Sequence, residues 1–377
     1  MRCILFVGHF LPNGRNVYEA NLIDHLKKNV DVLEIISVSK GYTELESTYL
    51  NIPIHAVKSV KKPIFDEIIR FFYMVFLLRK WRKNTNTSKH DARIILMNAP
   101  LEINLAVWIM SKLYGVKVSS LIIDTAKGNF KPDTLWNKYL YWCYSQSEKI
   151  YKYLDGSMAL NKRVFEHLGL KDKPHHLTKI GYSCVPEFPH GKKQNVKTKI
   201  VYTGSLMYYD GTEELLEAVS RLENQNIELV IYGSGPLRSV VESYASRFNN
   251  IYFAGYLPNE KIGQVLREAD LLINPRMPYF FTDVFGFPSK MIEYLLSGTP
   301  VITTQFAAMP EAYRQFVYLI EEESVDGIRD AILKAVRDDA AAKVQKAKDA
   351  YQYIIENNNY DSIVKEMLDF VFSLGNP

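Results

Sequence analysis

Short apolar runs alternate with longer amphipathic segments along the whole chain. The runs have the length of buried strands, whereas the apolar positions of the longer segments recur with the period of a helix. This alternation is typical of a parallel sheet that is covered by helices on both faces. The pattern therefore predicts an α/β fold.

The alternation occurs in both halves of the chain, so two doubly wound units are predicted. In the first half we expect strands at Cys3–Val7, Val32–Val38, Ile94–Met97, Val118–Ile123, Gly156–Ala159 and Leu177–Ile180. In the second half we expect strands at Ile200–Tyr202, Glu228–Tyr232, Ile251–Phe253, Leu271–Asn274, Val301–Thr303 and Val317–Ile320. Helices are expected over Val17–Lys28, Ile64–Lys83, Leu101–Tyr114 and Leu135–Tyr153, and from near Glu213, Leu237, Glu260, Lys290 and Val325.

A polar, lysine-rich segment, His190–Lys199, separates the two halves and is predicted to be a linker. The chain of 377 residues is long enough for two domains. We expect an N-terminal Rossmann-like domain over 1–190 and a C-terminal one over 191–359, facing each other across a cleft. The last stretch, 360–377, is amphipathic and is expected to pack as a helix on the N-terminal domain.

Composition narrows the class of partner. The formal net charge of +4 is too small to indicate a nucleic-acid partner, although it suits anionic small molecules. The cysteines, Cys3, Cys143 and Cys184, form no CxxC pair, which argues against structural zinc and suits a reducing compartment. The apolar run after Arg2 is too short for a signal peptide. We therefore expect a cytoplasmic protein.

The most informative stretch is Phe287–Val301, which reads FPSKMIEYLLSGTPV and follows a predicted strand. It predicts a helix that begins at about Ser289 and ends before Gly298 and Pro300. Such a helix starts where a sheet ends, and open α/β sheets bind ligands at that edge.

Ser289, Lys290 and Glu293 share one face near the positive end of this helix, where anionic groups are held. A carboxylate on an otherwise apolar helix is costly to bury without hydrogen-bond donors, and ribose hydroxyls could supply them. A solvated surface glutamate is the alternative. Lys290 and Arg276 could clamp a diphosphate and stabilise the charge that grows as a glycosidic bond breaks. Each of these two cations, taken alone, is more often a surface residue.

Two glycine turns follow predicted strands of the second half. Gly204 and Ser205 come after the first strand, where glycine lets backbone N–H groups approach a phosphate. Gly233 and Gly235 come after the second strand, although Arg238 stands where a GxGxxG fingerprint needs its third glycine. Ordinary strand-to-helix turns explain both segments equally well.

Two residues of the first half also lie at predicted sheet ends. Gly14 and the neighbouring Arg15 follow the first strand and should face the cleft from the other side. Asp124 follows the strand that ends at Ile123, where it could hydrogen-bond an acceptor hydroxyl. A plain loop at Gly14, and a cap of the next turn at Asp124, remain open alternatives.

The segment Ile64–Lys83 combines an apolar aromatic run with a basic end. The run is too short to span a bilayer, which takes about 20 residues. A basic-flanked aromatic helix fits the interface of an anionic membrane, with Phe71, Phe72 and Trp81 in contact with lipid. A buried helix with a basic end explains the pattern equally well.

Several of these segments together carry a family resemblance. They are ADLLINPR at Ala269–Arg276, FPSKMIEY at Phe287–Tyr294, GTPV at Gly298–Val301, YTGSL at Tyr202–Leu206 and YGSGP at Tyr232–Pro236. Their combination resembles the GT-B fold and, within it, the retaining glycosyltransferases of family 4 that act in bacterial polysaccharide synthesis. The resemblance extends over nearly the whole chain.

The resemblance implies roles for residues of the donor motif. Glu293 matches the second glutamate of the family's E-x7-E motif, which binds the donor ribose, and Pro288 and Ser289 belong to the same donor-binding stretch. The first glutamate would fall at Phe285, with Asp283 close to it.

The family often carries an arginine after the first glycine turn and a lysine a few residues later, where this chain has Ser205 and Asp210. That difference shifts the expected diphosphate contact to Arg276 or Lys290.

The implied reaction transfers a sugar from a UDP- or GDP-sugar to an acceptor hydroxyl with retained configuration. It needs no metal and no cofactor beyond the nucleotide sugar, and a lipid-linked or saccharide acceptor is expected. Two alternatives share the fold: a nucleotide-sugar 2-epimerase, and an inactive membrane-bound scaffold, which the missing first glutamate keeps open.

Overall fold

The computed structural model describes residues 1–11, 17–39, 46–60, 63–85, 91–126, 134–182, 184–189, 196–277, 286–306 and 308–375. The chain divides into two compact units. One is Met1–Gly181 together with Tyr360–Pro377, and the other is Tyr182–Asn359. The first unit therefore ends at Gly181, earlier than the expected 190. Residues 190–195 of the predicted linker lie outside the described residues.

The first unit contains one sheet, whose described strands have the order β3-β4-β2-β1-β5-β6-β7-β8. They are β1 (Cys3–Gly8), β2 (Val32–Ser37), β3 (Glu46–Tyr49), β4 (Ile52–Ala56), β5 (Ala92–Met97), β6 (Lys117–Ile122), β7 (Gly156–Ala159) and β8 (His175–Leu177). Neighbours are parallel except for β3 and β4. The described α-helices of this unit are Val17–Asn29, Pro63–Asn84, Leu101–Tyr114, Leu135–Ile150, Lys162–His167 and Tyr360–Ser373.

The second unit contains a parallel sheet of order β11-β10-β9-β12-β13-β14. Its described strands are β9 (Thr198–Ser205), β10 (Ile227–Ser234), β11 (Ile251–Gly255), β12 (Leu271–Asn274), β13 (Val301–Thr304) and β14 (Val317–Ile320). Its described α-helices are Thr212–Ser220, Arg238–Arg247, Asn259–Glu268, Lys290–Leu296, Val325–Arg337 and Ala340–Asn357.

Every residue of β1, β5, β12 and β13 is buried. Strands that are buried on both faces belong to sheets covered by helices on both sides. The two parallel-sheet units confirm the predicted α/β fold with two Rossmann-like domains.

Each sheet has a point where the strand order reverses. In the first unit the chain winds from β1 towards β2 and β4, and later continues on the other side of β1 with β5. In the second unit it winds from β9 towards β10 and β11, and then continues with β12 on the other side of β9. Ligands of open α/β sheets bind outside the carboxyl ends of the strands at such a reversal.

Some elements are absent from the sequence-based prediction. The antiparallel pair β3 and β4 turns through Leu50 and Asn51, which have φ of 50° and 61°. Positive φ at both central residues fits a two-residue hairpin turn, but leucine there gives no glycine-based turn signal. The helices Lys162–His167 and Ala340–Asn357 are also unpredicted, and the last strand of the first sheet lies at His175–Leu177 instead of Leu177–Ile180.

The C-terminal helix, Tyr360–Ser373, packs on the first unit. It buries Ile363, Val364, Met367, Leu368 and Val371 in the same apolar cluster as β1 and the helix Val17–Asn29. Polar contacts add to this packing, since Asp361 Oδ1 lies 2.6 Å from Nδ1 of His25. The chain thus returns to the first unit after crossing the second.

Candidate functional site

Two glycine turns lie at the carboxyl edge of the second sheet. Gly204 and Ser205 end β9 and pair with the residues that end β10, Gly233 among them. A Cβ on Gly233 would collide with the backbone oxygen of Gly204, and a Cβ on Gly235 would lie 2.6 Å from the backbone oxygen of Leu206. Glycine is required here because the two turns pack directly on each other, and this packing keeps bulky side chains away from the sheet edge.

Lys290 is half-buried and places its ammonium beside the first turn. Its Nζ lies 4.3 Å from the ring centroid of Tyr202, and a Cβ on Gly204, which has φ of 147°, would lie 3.2 Å from the same Nζ. The pKa of Lys290 is lowered to about 8, chiefly by burial; the charge of Asp210 opposes this shift and the charge of Arg276 contributes to it. The ammonium is therefore poorly solvated, and an anion would stabilise its charged form.

Asp210 is held in place by two neighbouring turns. Ser205 Oγ donates a hydrogen bond of 2.6 Å to Asp210 Oδ2, and the Tyr202 hydroxyl donates one of 2.6 Å to the Ser205 carbonyl. Gly211 follows with φ of 71°, and a Cβ there would collide with the carbonyl oxygen of Pro275. The hydroxyl of Ser205 thus orients a carboxylate near Lys290, a role the sequence did not indicate.

Arg276 adds a second cation on the other side of the strand reversal. It follows β12, and its carbonyl accepts a hydrogen bond of 2.6 Å from Thr304 Oγ1. The guanidinium carbon lies 5.7 Å from the ring centroid of Tyr209. Lys290 and Arg276 with Asp210 leave one net positive charge at this edge, which suits an anionic ligand.

The helix Lys290–Leu296 is fixed to β9 through Tyr294. The fully buried Tyr294 hydroxyl accepts a hydrogen bond of 2.9 Å from Thr203 N. The helix has seven residues, and Ser289 makes no side-chain cap bond. Pro288 instead accepts a backbone bond of 2.9 Å from the amide of Met291. Pro288 and Ser289 therefore define the first turn through their backbones.

Glu293 is exposed, so the expectation of a carboxylate buried in the apolar helix face is wrong. Protein around the carboxylate nevertheless raises its pKa above the ordinary value through desolvation. Among the described residues its carboxylate has no hydrogen-bond or ion-pair partner. An open, partly desolvated acceptor of this kind can bind hydroxyl groups of a ligand.

Asp124 belongs to the first unit, whereas the residues above belong to the second. It is exposed two residues after the end of β6, and its carbonyl accepts a hydrogen bond of 2.6 Å from Asn98 Nδ2. Gly14, Asp283 and Phe285 lie outside the described residues. In the part of the chain that the structure describes, no group of three or more acidic, histidine or cysteine side chains could hold a metal ion.

Tyr202 and Asp210 are residues of this candidate site that the sequence did not predict. Tyr202 lies two residues before Gly204 on a buried strand. The sequence pattern therefore predicts only an aromatic side chain of the hydrophobic core. Asp210 was visible only as a departure from a family pattern. Their roles depend on side-chain contacts across turns, which periodicity does not encode.

Two comparisons show what the chain is similar to. Residues 197–338 match the family model of glycosyl transferases group 1. This segment contains the candidate site residues of the second unit but not Gly14 and Asp124 of the first. The fold of the whole chain is that of the GT-B glycosyltransferases. A structure of Anabaena HepE in complex with UDP has a TM-score of 0.72 to this chain at 12% identity, and the match covers 99% of this chain and 100% of that one.

Curated relatives match over shorter segments. An uncharacterized glycosyltransferase of Methanocaldococcus jannaschii is 24% identical over 185 residues, which are 47% of this chain and 45% of the relative. The putative colanic acid biosynthesis glycosyltransferase WcaL of Escherichia coli is 26% identical over 119 residues, 30% of this chain and 29% of the relative. The matched segments thus span less than half the length of these relatives.

Proposed function

We propose that the protein is a glycosyltransferase that moves a sugar from a nucleoside-diphosphate sugar to an acceptor hydroxyl. The observation that carries this proposal is the buried ammonium of Lys290, 4.3 Å from the Tyr202 ring centroid and beside Gly204, at the strand reversal of the second sheet. That position lies within the segment that matches glycosyl transferases group 1. The UDP complex of a protein with the same fold supports a nucleotide-sugar donor.

In the proposed reaction the bond between the sugar and the diphosphate breaks and the diphosphate gains negative charge. Lys290 and Arg276 stabilise that charge, and a preorganised cation contributes most where charge develops in the transition state. Glu293 accepts hydrogen bonds from the ribose hydroxyls of the donor. We further propose that transfer occurs with retention on one face, in which a leaving-phosphate oxygen takes the acceptor proton.

A nucleotide-sugar panel tests this function. The purified protein is incubated separately with UDP- and GDP-sugars, and mass spectrometry follows release of the nucleoside diphosphate and the identity of the sugar product. Hydrolysis or transfer of one donor is expected. Conversion of a donor to its 2-epimer would favour an epimerase, and absence of both binding and turnover across the panel would favour an inactive scaffold.

Nucleotide binding is expected to weaken as the pH rises through about 8. Burial sets the pKa of Lys290 at about 8, so the side chain is charged below that pH and neutral above it. A neutral amine does not neutralise a diphosphate, so the Kd for UDP should rise by up to about tenfold per pH unit above this value. Titration calorimetry at a series of pH values measures the effect. A Kd that stays constant from about pH 7 to 10 would contradict the role of this ammonium.

For the acceptor we propose a lipid-linked saccharide in cell-surface polysaccharide synthesis, bound by the first unit at the inner face of the membrane. The match to a colanic acid biosynthesis protein supports the polysaccharide part. No helix in the described part of the chain is long and apolar enough to cross a bilayer. We place the proposed lipid contact at an exposed surface of the first unit.

One face of the helix Pro63–Asn84 has the composition of such a surface. Its apolar side chains have exposed fractions of 52% to 66%, and they are Phe65, Ile68, Phe72 and Phe76. Spaced three or four residues apart, they form a single stripe, which the exposed Arg79 and Lys83 continue. The other face packs inward and includes Trp81, which is 3% exposed. The expected lipid contact of Trp81 is thus wrong, whereas that of Phe72 is compatible with the structure.

The neighbouring helix Leu135–Ile150 extends this apolar surface. The Tyr139 hydroxyl donates a hydrogen bond of 2.8 Å to Glu67 Oε1 of the helix Pro63–Asn84. Leu135, Trp136 and Trp142 are exposed by 87%, 58% and 55%. Exposed aromatic side chains beside basic ones suit the interface of an anionic bilayer, since the rings enter the headgroup region while Arg79 and Lys83 meet lipid phosphates.

Replacing Phe72 and Trp136 together with serine is expected to reduce binding to phosphatidylglycerol vesicles at least about tenfold, because the bilayer then loses two exposed rings that would enter it. Val344→Ser, which changes an apolar side chain that is 58% exposed in the second unit, is the matched control. Vesicle sedimentation measures the bound fraction. Wild-type protein that remains in the supernatant with these vesicles would refute the membrane contact.

A further inference from the structure

The first unit contains a polar cluster at its own strand reversal, between β1 and β5. His9 follows β1 directly, Val38 follows β2, and Glu102 lies in the first turn of the helix after β5. These strands are adjacent in the sheet. The cluster therefore occupies the position in the first sheet that the Lys290 site occupies in the second, and ligands bind open α/β sheets at this position.

Arg70 lies in the middle of this cluster and is completely buried. Its Nε donates a hydrogen bond of 2.8 Å to Glu102 Oε1, and its Nη2 donates one of 2.8 Å to the carbonyl of Val38. These two bonds fix the helix Pro63–Asn84 to the residue after β2 and to the first turn of the helix Leu101–Tyr114. The third nitrogen, Nη1, is buried and has no acceptor among the described residues.

An unpaired donor on a buried cation is costly, because the group has lost its hydrogen bonds to water without gaining a protein partner. Buried polar groups without a partner are rare in folded proteins and call for a ligand or another explanation. The structural role of Arg70 is fulfilled by Nε and Nη2 alone. Nη1 therefore marks a place where a ligand oxygen would be accepted.

The charges around Nη1 indicate which kind of oxygen. The Glu102 carboxylate balances the Arg70 guanidinium at 2.8 Å. Burial, together with the charge of Arg70, lowers the pKa of His9 to about 4, so its imidazole is neutral at physiological pH. A neutral imidazole can accept a hydrogen bond from a hydroxyl, whereas an anion would favour a protonated one.

We propose that Arg70 Nη1 and the imidazole of His9 form a subsite of the first unit that binds a hydroxyl group of an uncharged saccharide. The hydroxyl oxygen accepts a hydrogen bond from Nη1, and the hydroxyl donates a hydrogen bond to the neutral imidazole nitrogen. Identifying this saccharide with the sugar acceptor rests on the proposed glycosyl transfer, but the subsite itself does not depend on it.

The subsite is tested by NMR on protein labelled in its histidine rings. The signal of His9 among the eight histidines is assigned from the spectrum of His9→Gln. Methyl glycosides of glucose, galactose, mannose and N-acetylglucosamine are titrated as uncharged probes, and inorganic phosphate is titrated as the anionic probe. At least one glycoside should shift the His9 signal, whereas phosphate should not.

Arg70→Lys retains the charge but removes the fork of donors, so the Kd of the active glycoside should rise about tenfold. UDP-induced thermal stabilisation reports on the second unit and should be the same in wild type and in this variant. If no glycoside shifts the His9 signal, or only phosphate does, the subsite is refuted whether or not the variant folds. If UDP does not raise the thermal midpoint of the wild-type protein, the proposed donor site is refuted, but the proposed subsite is not.

Discussion

Replacement of Lys290 by methionine is expected to lower kcat for sugar transfer about 100- to 1000-fold, the range found when one preorganised donor to developing charge is removed. The methionine side chain is apolar and cannot stabilise the negative charge that develops on the leaving diphosphate. Methionine is similar in length to lysine, so its side chain can still pack against Tyr202 and Gly204. Steady-state kinetics with the donor identified in the nucleotide-sugar panel measures the loss.

The folded state should tolerate this change. The pKa of Lys290 is lowered chiefly by burial, which means that the protein disfavours its charge when no ligand is bound. Removing that charge should leave the thermal midpoint unchanged or raised. Lys261→Met, at an exposed position of the same unit, is the matched control and should retain full activity. Turnover of Lys290→Met within a factor of about two of wild type would remove Lys290 from the reaction.

Replacement of Glu293 by alanine is expected to raise the Kd for UDP about 10- to 100-fold, because hydrogen bonds to a charged acceptor contribute about 1.5–3 kcal/mol. The proposed partners of Glu293 are ribose hydroxyls, so the Kd for inorganic pyrophosphate, which has no ribose, should stay the same. Lys290→Met should weaken the binding of both ligands. Titration calorimetry with the two ligands separates the two roles.

The stability of the chain should not depend on Glu293. Its side chain is exposed, and its carboxylate has no partner among the described residues. Glu260→Ala, at another exposed position of this unit, controls for loss of one negative charge. Equal loss of UDP and pyrophosphate affinity in Glu293→Ala would show that the carboxylate acts on the phosphates or on the fold and not on the ribose.

The sequence predicted the sheets well because buried parallel strands are nearly continuous apolar runs. Every residue of β12 and β13 is buried, and both strands were expected within one residue. The hairpin of β3 and β4 was missed because Glu46–Tyr49 is polar and short, and because Leu50 takes a positive φ that leucine rarely adopts. Short edge elements are decided by tertiary contacts.

The candidate site was predicted in part. Its glycine turns, Lys290 and Arg276 follow from the rule that ligands gather at the carboxyl ends of strands. The burial of Lys290 under Tyr202 could not be predicted, since it depends on how the helix Lys290–Leu296 is fixed to β9 by Tyr294. The exposure of the Glu293 side chain was misjudged for a related reason. Its apolar neighbours in sequence do not determine whether its own side of this short helix is buried or exposed.

The polar cluster of the first unit illustrates a further limit. Arg70 lies within an aromatic run, where the helical period places it on the buried face. The pattern does not indicate which groups would pair with a buried guanidinium. Its partners, Glu102 and Val38, are each 32 residues away along the chain. Only the sheet order brings them together.

A crystal structure of the protein with UDP would show whether the edge of the second sheet binds the donor nucleotide. We expect a β-phosphate oxygen within about 3.2 Å of Lys290 Nζ, with the ribose hydroxyls hydrogen-bonded to the Glu293 carboxylate. Nucleotide bound elsewhere, or at this edge with its phosphates turned away from Lys290, would contradict the proposed donor site.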